Sequence, residues 1–431
     1  MKRGFYTIMS AQFFSSLADN ALLIASIALL MQLDGPAWMT PLLKFFFTVS
    51  YVVLAPFVGP FADSLPKGKV MFVTNTIKIV GCLTMLFYEW IAAAGITPYV
   101  VVLLAYGIVG LGAAAYSPAK YGILTELLPP EKLVVANGWI EGLTVGSIIV
   151  GTVLGGVLIG PKVSAWLGAF DLPFIVTGID TPAETAIAVI VVFYLIAAVF
   201  NLYIPDTGSR YAKQETNPIR LVVEFGHCFR TLWSDKLGQI TLAVTTLFWG
   251  AGATLQFIVL RWADQHLHMP LSKAAVLQGV FAVGIAIGSV AAARFIPLKK
   301  ALTVIPFGIA MGALVMTMTL VTAMPIVYAL MVIIGMMAGF FVVPMNALLQ
   351  HRGHVLLSAG HSIAVQNFNE NLNILVMLAV YAALLSGGFH INTIIIMFGC
   401  FVMVTMFLVR MRHLHNKRFE DVEARIGEAK H

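Results

Sequence analysis

Charged residues are scarce in this 431-residue sequence: only 11% of its residues are Asp, Glu, Lys or Arg, whereas 59% are hydrophobic. Soluble domains average about 25% charged residues and about half apolar residues. A chain with so few charges cannot cover a water-facing surface, which excludes an ordinary soluble domain. The composition predicts an integral membrane protein that crosses the bilayer several times.

Cysteine is also scarce, and the three cysteines, Cys82, Cys228 and Cys400, lie far apart. Such spacing fits neither a disulfide framework nor a metal site, so we interpret them as free thiols. The histidines at the ends of apolar segments are more typical of loops than of metal sites. We expect no metal and no cofactor.

Two signatures of membrane enzymes and pumps are missing. No histidine is followed five positions later by an aspartate, the usual catalytic pair of membrane acyltransferases. No G-x-x-x-x-G-K-[ST] loop occurs, which argues against an ATP-driven pump. We therefore expect a secondary transporter and not an enzyme.

Twelve apolar segments are long enough to cross a bilayer as helices, at about 20 residues per crossing. Their predicted bounds are 5–33, 41–62, 70–93, 98–116, 133–158 and 183–204, then 238–262, 274–296, 301–322, 325–349, 359–386 and 390–411. The two halves resemble each other weakly, because Pro118 and Ala136-Asn137-Gly138 have counterparts in Pro344 and Ala359-Gly360-His361. The sequence thus predicts an all-α integral membrane protein with twelve transmembrane helices in two six-helix pseudo-repeats, and places the substrate between the halves near mid-depth.

We divide the chain into four parts. These are an N-terminal six-helix bundle at 1–204, a cytoplasmic linker with an amphipathic helix at 205–237, a C-terminal six-helix bundle at 238–412 and a cytoplasmic tail at 413–431. Apolar residues recur at helical spacing from Ile219, so we expect the linker helix to lie on the inner membrane surface.

Basic residues are distributed unequally between the two sides of the membrane. With the N-terminus inside, the outer side holds only Lys44, Lys162, Arg261 and Lys273, with Lys78 left in mid-span. The bias of Lys and Arg toward cytoplasmic loops therefore predicts that both termini are cytoplasmic. Topology also accounts for the net charge of +6, so we expect no nucleic-acid partner.

Four ionisable residues lie near mid-depth of their predicted helices: Asp19, Lys78, Glu141 and Glu370. Helical rise places each roughly 12 to 21 Å into a hydrocarbon core about 30 Å thick. Side-chain amides lie near three of these residues on the same predicted helices. They are Asn20 beside Asp19, Asn137 four residues before Glu141, and Gln366 and Asn367 four and three residues before Glu370. Because ionisable groups at that depth are costly and often mark a substrate path, we predict that all eight residues bind substrate. The alternative is that they hold helices together by hydrogen bonds.

A polar elbow joins the fourth and fifth predicted spans, within Tyr116 to Glu141. We predict that Lys120 and Tyr121 bind substrate and that Glu126 belongs to a gate, because charges in so apolar a chain tend to pair, face a cavity or mark a cytoplasmic gate. A plain cytoplasmic loop with snorkelling ends is the alternative.

The loop Gly59 to Lys69, GPFADSLPKGK, resembles the loop signature of the major facilitator superfamily. It departs by two extra residues between Asp63 and Gly68, and by Ser64 where the family usually has Arg. An aspartate at a helix end can pair with a neighbouring helix terminus, so we predict a structural and gating role for Asp63.

Within that superfamily, the sequence resembles the bacterial lysophospholipid transporters. The matching segments are Ala11–Phe13, Asp19–Leu23, Ala55–Gly59, Gly112–Leu124, Ala136–Gly138, Phe248–Gly252, Gly339–Leu349 and Ile363–Asn367 through Glu370-Asn371. They run from the first to the eleventh helix and so cover nearly the whole chain. One departure is Gln256, where the family carries an arginine; Arg261 lies five residues on, and we place it among the gating residues.

The resemblance implies import of lysophospholipids, chiefly lysophosphatidylethanolamine, from the outer to the inner leaflet of the bacterial inner membrane by alternating access. Re-acylation by a cytoplasmic-side acyltransferase and acyl carrier protein synthetase would follow, and we expect a monomer. We hypothesise that Lys78 or Lys120 meets the phosphate and that Asp19 or Glu141 meets the ammonium.

The apolar wall of the second half, including Phe340, Phe341 and Met345, would accommodate the acyl chain. The alternative function is a proton-coupled exporter of drugs or small metabolites. Such an exporter shares the fold and would use the buried acids as proton sites.

Overall fold

The structure is a computed structural model that describes residues 3–35, 39–160, 181–212, 214–269 and 271–419, with Val163, Trp166, Ala424 and Ile426. All regular secondary structure in these residues is helical. A helix satisfies its own backbone hydrogen bonds, which a segment surrounded by lipid requires. The predicted all-α membrane fold is confirmed.

Eight helices with bounds in the described part of the first half precede the linker. They are α1 Arg3–Gln32, α2 Met39–Val53, α3 Ala55–Ser64, α4 Lys67–Leu86, α5 Tyr88–Ala92, α6 Pro98–Leu127, α7 Leu133–Leu158 and α8 Pro182–Leu202. Seven more are α9 Pro218–Ser234, α10 Lys236–Gln265, α11 Leu271–Phe295, α12 Ile305–Met316, α13 Met324–Leu356, α14 Ala359–Ser386 and α15 Ile391–Phe419. Short 3-10 helices occur at Pro130–Lys132, Leu298–Val304 and Thr317–Leu320.

Eleven described helical segments are long and apolar enough to cross a membrane, and α2 with α3 makes a twelfth if the bent pair is one span. That pair bends by 66° at Leu54, inside the segment predicted as one span at 41–62. Pro56 explains the break, because proline has no N–H to donate to the preceding turn and its ring crowds that turn.

The predicted polar elbow is shorter than expected. Helix α6 continues through Pro118 as far as Leu127, so Lys120, Tyr121 and Glu126 are helical and not in a loop. A proline within a transmembrane helix is tolerated when neighbouring groups satisfy the freed carbonyl.

The described helices form two compact units. The first unit is Met1–Ile123 with Gly146–Glu215, and the second unit is Leu124–Val145 with Thr216–His431. In the first unit, α8 packs against α1 and α4. In the second unit, α11 packs against α13, α12 against α15, and α10 against α14. Helix α7 is divided, because its first half belongs to the second unit.

A glycine brings α6 close to α4 in the first unit. A Cβ at Gly112 would lie 2.8 Å from the Thr74 carbonyl oxygen and 2.8 Å from Lys78 Cγ. Side-chain atoms essentially never approach so closely, so only glycine fits this position without a shift. The α6 backbone therefore lies directly against the stem of Lys78.

Candidate functional site

A buried ion pair joins α1 and α4 in the first unit. Lys78 Nζ lies 2.9 Å from Asp19 Oδ1 and 2.8 Å from Asp19 Oδ2. The Lys78 side chain is 1% exposed, whereas that of Asp19 is 21% exposed. A buried charge is tolerated when an opposite charge is adjacent. Here Asp19 and Lys78, both predicted to bind substrate, supply the two opposite charges.

Three polar side chains surround the ion pair. Lys78 Nζ donates to Ser15 Oγ at 3.1 Å, and Ser15 Oγ donates to Asn75 Oδ1 at 2.9 Å. The Tyr194 hydroxyl of α8 donates to Asp19 Oδ1 at 2.6 Å. The Asp19 carboxylate is therefore fixed by donors from two other helices.

Aromatic rings cover the ammonium group. Lys78 Nζ lies 5.0 Å from the ring centroid of Tyr116 on α6 and 5.6 Å from that of Tyr194. Both distances are within the range of cation–π attraction, which strengthens when water is excluded. Lysine, carboxylate and rings thus form one cluster, here called the ion-pair cluster: Ser15, Asp19, Asn75, Lys78, Tyr116 and Tyr194.

Two donors in the ion-pair cluster are buried and have no hydrogen-bond partner among the described residues. They are the Asn75 side-chain amide nitrogen and the Tyr116 hydroxyl. Asn75 is 0% exposed and Tyr116 is 5% exposed. Buried donors without a partner cost about 1 to 3 kcal/mol each, so an acceptor bound here, whether water or a ligand, would stabilise the cluster.

A reciprocal amide pair lies in the second unit. Asn137 Nδ2 of α7 donates to Gln350 Oε1 of α13 at 2.9 Å, and Gln350 Nε2 donates to Asn137 Oδ1 at 2.9 Å. Both residues are buried, at 0% and 1% exposure. The two bonds satisfy both amides with no charge involved.

A second set of polar contacts begins one turn further along the same two helices. Asn346 Nδ2 donates to Glu141 Oε1 at 3.3 Å, and Gln366 Nε2 of α14 donates to Asn346 Oδ1 at 3.2 Å. Gln366 Nε2 also lies 2.8 Å from Glu370 Oε1. Three predicted site residues, Glu141, Gln366 and Glu370, thus meet in one buried network, here called the amide network.

Sequence reasoning missed residues in both places. Asn346 and Gln350 are spaced i, i+4 on α13, matching Asn137 and Glu141 on α7, and that spacing was the available signal. Tyr116 and Tyr194 gave no such signal, because single tyrosines are common in apolar segments.

Other predicted substrate residues make local contacts. Asn20 Nδ2 donates to the Ser16 carbonyl of its own helix at 2.8 Å. Lys120 Nζ lies 4.1 Å from the ring centroid of the adjacent Tyr121. Asn367 is 7% exposed, and its backbone carbonyl accepts from Asn371 Nδ2 at 2.8 Å. Their roles in substrate binding stay predictions.

The predicted gating residues lie in different environments. Asp63 Oδ1 accepts from Lys67 Nζ at 2.6 Å, with both side chains buried at the turn between α3 and α4. Glu126 is half-buried near the end of α6, and Arg261 is exposed near the end of α10. Gln256, where the family resemblance leads one to expect Arg, donates through Nε2 to Gln278 Oε1 of α11 at 3.2 Å.

An ion pair also lies where α9 meets α10. Arg352 donates from Nη2 to Asp235 Oδ1 at 2.8 Å and from Nε to Asp235 Oδ2 at 3.0 Å. Burial disfavours the charged carboxylate, but the bonds from Arg352 and from the Gly238 and Leu237 backbone N–H groups outweigh it and lower the pKa of Asp235.

Comparisons with known proteins agree with this architecture. Residues 8–376 match the family model of the Major Facilitator Superfamily. The chain is 40% identical over 389 residues to the protein named lysophospholipid transporter LplT of Yersinia enterocolitica, covering 90% of this chain and 89% of that protein. The protein of that name in Yersinia pestis is also 40% identical, over 90% of this chain and 88% of its own length.

Two solved structures are similar in fold. A bacterial homologue of the iron transporter ferroportin, in an outward-facing state, has a TM-score of 0.72 at 13% identity, over 96% of this chain and 99% of that one. The human organic anion transporter MFSD10 has a TM-score of 0.70 at 15% identity, over 95% of this chain and 100% of that one.

Proposed function

Since this chain belongs to the major facilitator superfamily and, within it, to the lysophospholipid transporters, we infer that it is a secondary transporter of lysophospholipids. We further propose that lysophosphatidylethanolamine is its main substrate and that it moves from the outer to the inner leaflet of the bacterial inner membrane. The predominance of Lys and Arg in the predicted inner loops supports cytoplasmic termini. A cytoplasmic-side acyltransferase and acyl carrier protein synthetase would then consume the imported lipid.

The observation that carries the proposal is the pair of buried donors in the ion-pair cluster that have no hydrogen-bond partner among the described residues. A phosphodiester presents several acceptor oxygens and one negative charge. The Lys78 ammonium, the Tyr116 hydroxyl and the Asn75 amide nitrogen supply one cation and two donors of matching kind. We propose that this side of the ion-pair cluster receives the phosphate.

The ammonium of ethanolamine would contact the Asp19 carboxylate, the negative member of the ion pair. Asp19 is the more exposed member of the ion pair, at 21% against 1% for Lys78. A zwitterionic head group would thus replace the internal ion pair with two new ion pairs, one between its phosphate and Lys78 and one between its ammonium and Asp19. Neither Asp19 nor Lys78 is then left buried without an opposite charge, which would be the costly state.

The acyl chain needs an apolar surface. In the second unit, a narrow apolar crevice lies among α10, α12, α13 and α15, lined in part by Phe248, Phe341 and Met406. Phe341 belongs to the wall that the sequence predicts for the acyl chain. The crevice holds only about 10 Å³, less than an acyl chain needs, so its role in holding the chain stays a prediction.

We propose that the reciprocal amide pair acts as a gate. Asn137 belongs to the first sequence repeat and Gln350 to the second, and alternating access requires the repeats to change contacts. Neutral hydrogen bonds contribute only about 0.5 to 1.5 kcal/mol each on balance, so two of them hold a state without locking it. A gating role suits Asn137 better than direct substrate binding, because its side-chain amide is already engaged.

Transport by the purified full-length chain in lipid vesicles tests the function. Labelled lysophosphatidylethanolamine is added outside, and its arrival in the inner leaflet is followed with and without an ion gradient, beside labelled diacyl phosphatidylethanolamine. We expect protein-dependent movement of the one-chain lipid only. Equal movement of both lipids, or none of either, contradicts the proposal; abolition by a protonophore favours proton coupling.

A further inference from the structure

Helix α9 has one face packed on the protein and one face exposed. Leu221, Cys228 and Leu232 are buried, and Phe225 and Phe229 contact the ring of Phe368 on α14 edge-on. Trp233 Nε1 donates to Asn369 Oδ1 at 3.2 Å. These contacts hold α9 in a fixed rotation on the second unit, so its other face has a defined composition.

The exposed face changes character along the helix. Its first two turns carry large apolar side chains, with Ile219 76%, Val222 50% and Val223 56% exposed. Its last two turns carry His227, Arg230, Thr231 and Ser234. Since Ile219, Val223, His227, Arg230 and Ser234 follow one another at i, i+4, i+8, i+11 and i+15, they form a single stripe.

An open groove of about 450 Å³ lies at the polar end of this stripe. It is lined by His227, Arg230, Thr231, Ser234, Asp235 and Leu356. The Asp235 carboxylate is neutralised by the two bonds from Arg352, so it does not oppose an anion in the groove. The Arg230 guanidinium, the His227 ring and the hydroxyls of Thr231 and Ser234 remain, and a guanidinium with neighbouring donors is a common phosphate-binding arrangement.

We propose that the exposed face of α9 binds an anionic phospholipid of the adjacent leaflet, with its phosphate in the groove and its acyl chains along Ile219, Val222 and Val223. The site is separate from the ion-pair cluster and does not depend on which lipid is transported. A lipid fits better than a soluble anion, because its acyl chains would cover the exposed apolar side chains beside the groove, whereas a soluble anion would leave them in water. The groove begins where α10 enters its predicted span, which places the head group at the depth of the membrane surface.

Native mass spectrometry of the full-length chain with phosphatidylglycerol and phosphatidylcholine tests the site. Each Lys or Arg near an anionic membrane surface, here Arg230, contributes about fivefold to binding. We expect wild type to retain phosphatidylglycerol preferentially, and the double variant His227→Gln/Arg230→Gln to lose that preference by at least about fivefold. Lys300→Gln, which removes an exposed cation on another element, should keep it.

A double variant with wild-type preference, or an equal loss in Lys300→Gln, overturns the proposal. Displacement of phosphatidylglycerol by an equal concentration of inorganic phosphate also overturns the proposal, because the groove would then be a site for free anions.

A second measurement reports on the apolar turns without removing a charge. Val223→Cys, labelled with an environment-sensitive fluorophore, should shift its emission to the blue more strongly in phosphatidylglycerol vesicles than in phosphatidylcholine vesicles. Equal emission in both contradicts lipid selectivity at this face. Protection of the label only when a soluble cytoplasmic fraction is added would assign the face to a protein partner and overturn the lipid site.

Discussion

The Tyr194 hydroxyl on α8 donates a 2.6 Å hydrogen bond to the Asp19 carboxylate on α1, and the two residues are 175 positions apart in sequence. Lys78 approaches the same carboxylate from α4. Asp19 is therefore held in one orientation from two sides, while part of its side chain remains exposed. The proposed substrate ammonium would therefore meet a carboxylate of fixed orientation and would take the place of the Lys78 ammonium.

Asp19→Asn should abolish transport and destabilise the chain. It leaves the Lys78 ammonium buried without its counter-charge, a change that costs about 3 to 5 kcal/mol in buried pairs. Thermal unfolding in detergent and lysolipid uptake in vesicles measure the two effects. The double variant Asp19→Asn/Lys78→Met should recover most of the stability and none of the transport.

Asp206→Asn is the matched control, because Asp206 is an exposed carboxylate whose partner Arg210 is exposed as well. It should change neither unfolding nor uptake. If the Asp19→Asn single variant transports at the wild-type rate, the ion-pair cluster is not on the substrate path.

Tyr116→Phe should weaken transport without weakening the fold. The Tyr116 hydroxyl is buried and has no partner in the part of the chain that the structure describes, so its removal breaks no internal hydrogen bond. If substrate phosphate accepts from it, its loss should raise KM by about tenfold, equivalent to a net hydrogen bond to a charged group of about 1.5 kcal/mol. Uptake kinetics and thermal unfolding distinguish this from a structural role.

Tyr203→Phe, at an exposed tyrosine, serves as the comparison. A lower unfolding temperature for Tyr116→Phe with unchanged KM would assign the hydroxyl to the fold.

The amide pair should behave as a coupled unit in a double-mutant cycle. Asn137→Ala and Gln350→Ala each leave the partner amide buried without its bonds, so the double variant should be less destabilised than the two single variants added together. Contacting residues show coupling energies of about 0.5 to 3 kcal/mol. Unfolding free energies of the four proteins give the coupling, and additive effects would refute it.

If the pair is a gate, these variants should change the rate of uptake more than its KM. The exchanged pair Asn137→Gln/Gln350→Asn keeps both amides and should transport faster than either alanine variant. A uniform rise in KM across the set would instead place Asn137 in the binding site.

Stability should fall in acid through the Asp235–Arg352 pair. The folded pKa of Asp235 lies below its ordinary value of 3.8, so its contribution is present above pH 3.8 and is lost as the pH falls through the lower folded pKa. Unfolding temperatures measured from pH 6 down to pH 3 should decline less steeply in Asp235→Asn than in wild type. Parallel curves would show that another carboxylate dominates the acid response.

Depth and helical face predicted the position of the charges well. Ionisable residues are so rare in this chain that counting rise along α1 and α4 was enough to place Asp19 and Lys78 at one level, and the structure joins them. The partners on α8 and α13 were beyond that reasoning, because which helix is adjacent depends on packing and not on periodicity.

Helix ends were predicted less well for a physical reason. Proline removes a backbone hydrogen bond and its ring crowds the preceding turn, and the fourth predicted span, 98–116, ends just before Pro118. Within α6 it is accommodated, whereas Pro56 does coincide with a break, so the residue type alone does not decide the outcome.

The pairing of Asp19 with Lys78 also bears on energetics across the bilayer. A membrane potential acts on net charge, at about 2.3 kcal/mol per elementary charge for each 100 mV. The pair sums to zero, and so does a phosphoethanolamine head group, so binding and crossing move no net charge through the electric field. Without a cotransported ion, voltage gives the cycle no direction, and the proposed inward flux then depends on chemical consumption of the lipid on arrival.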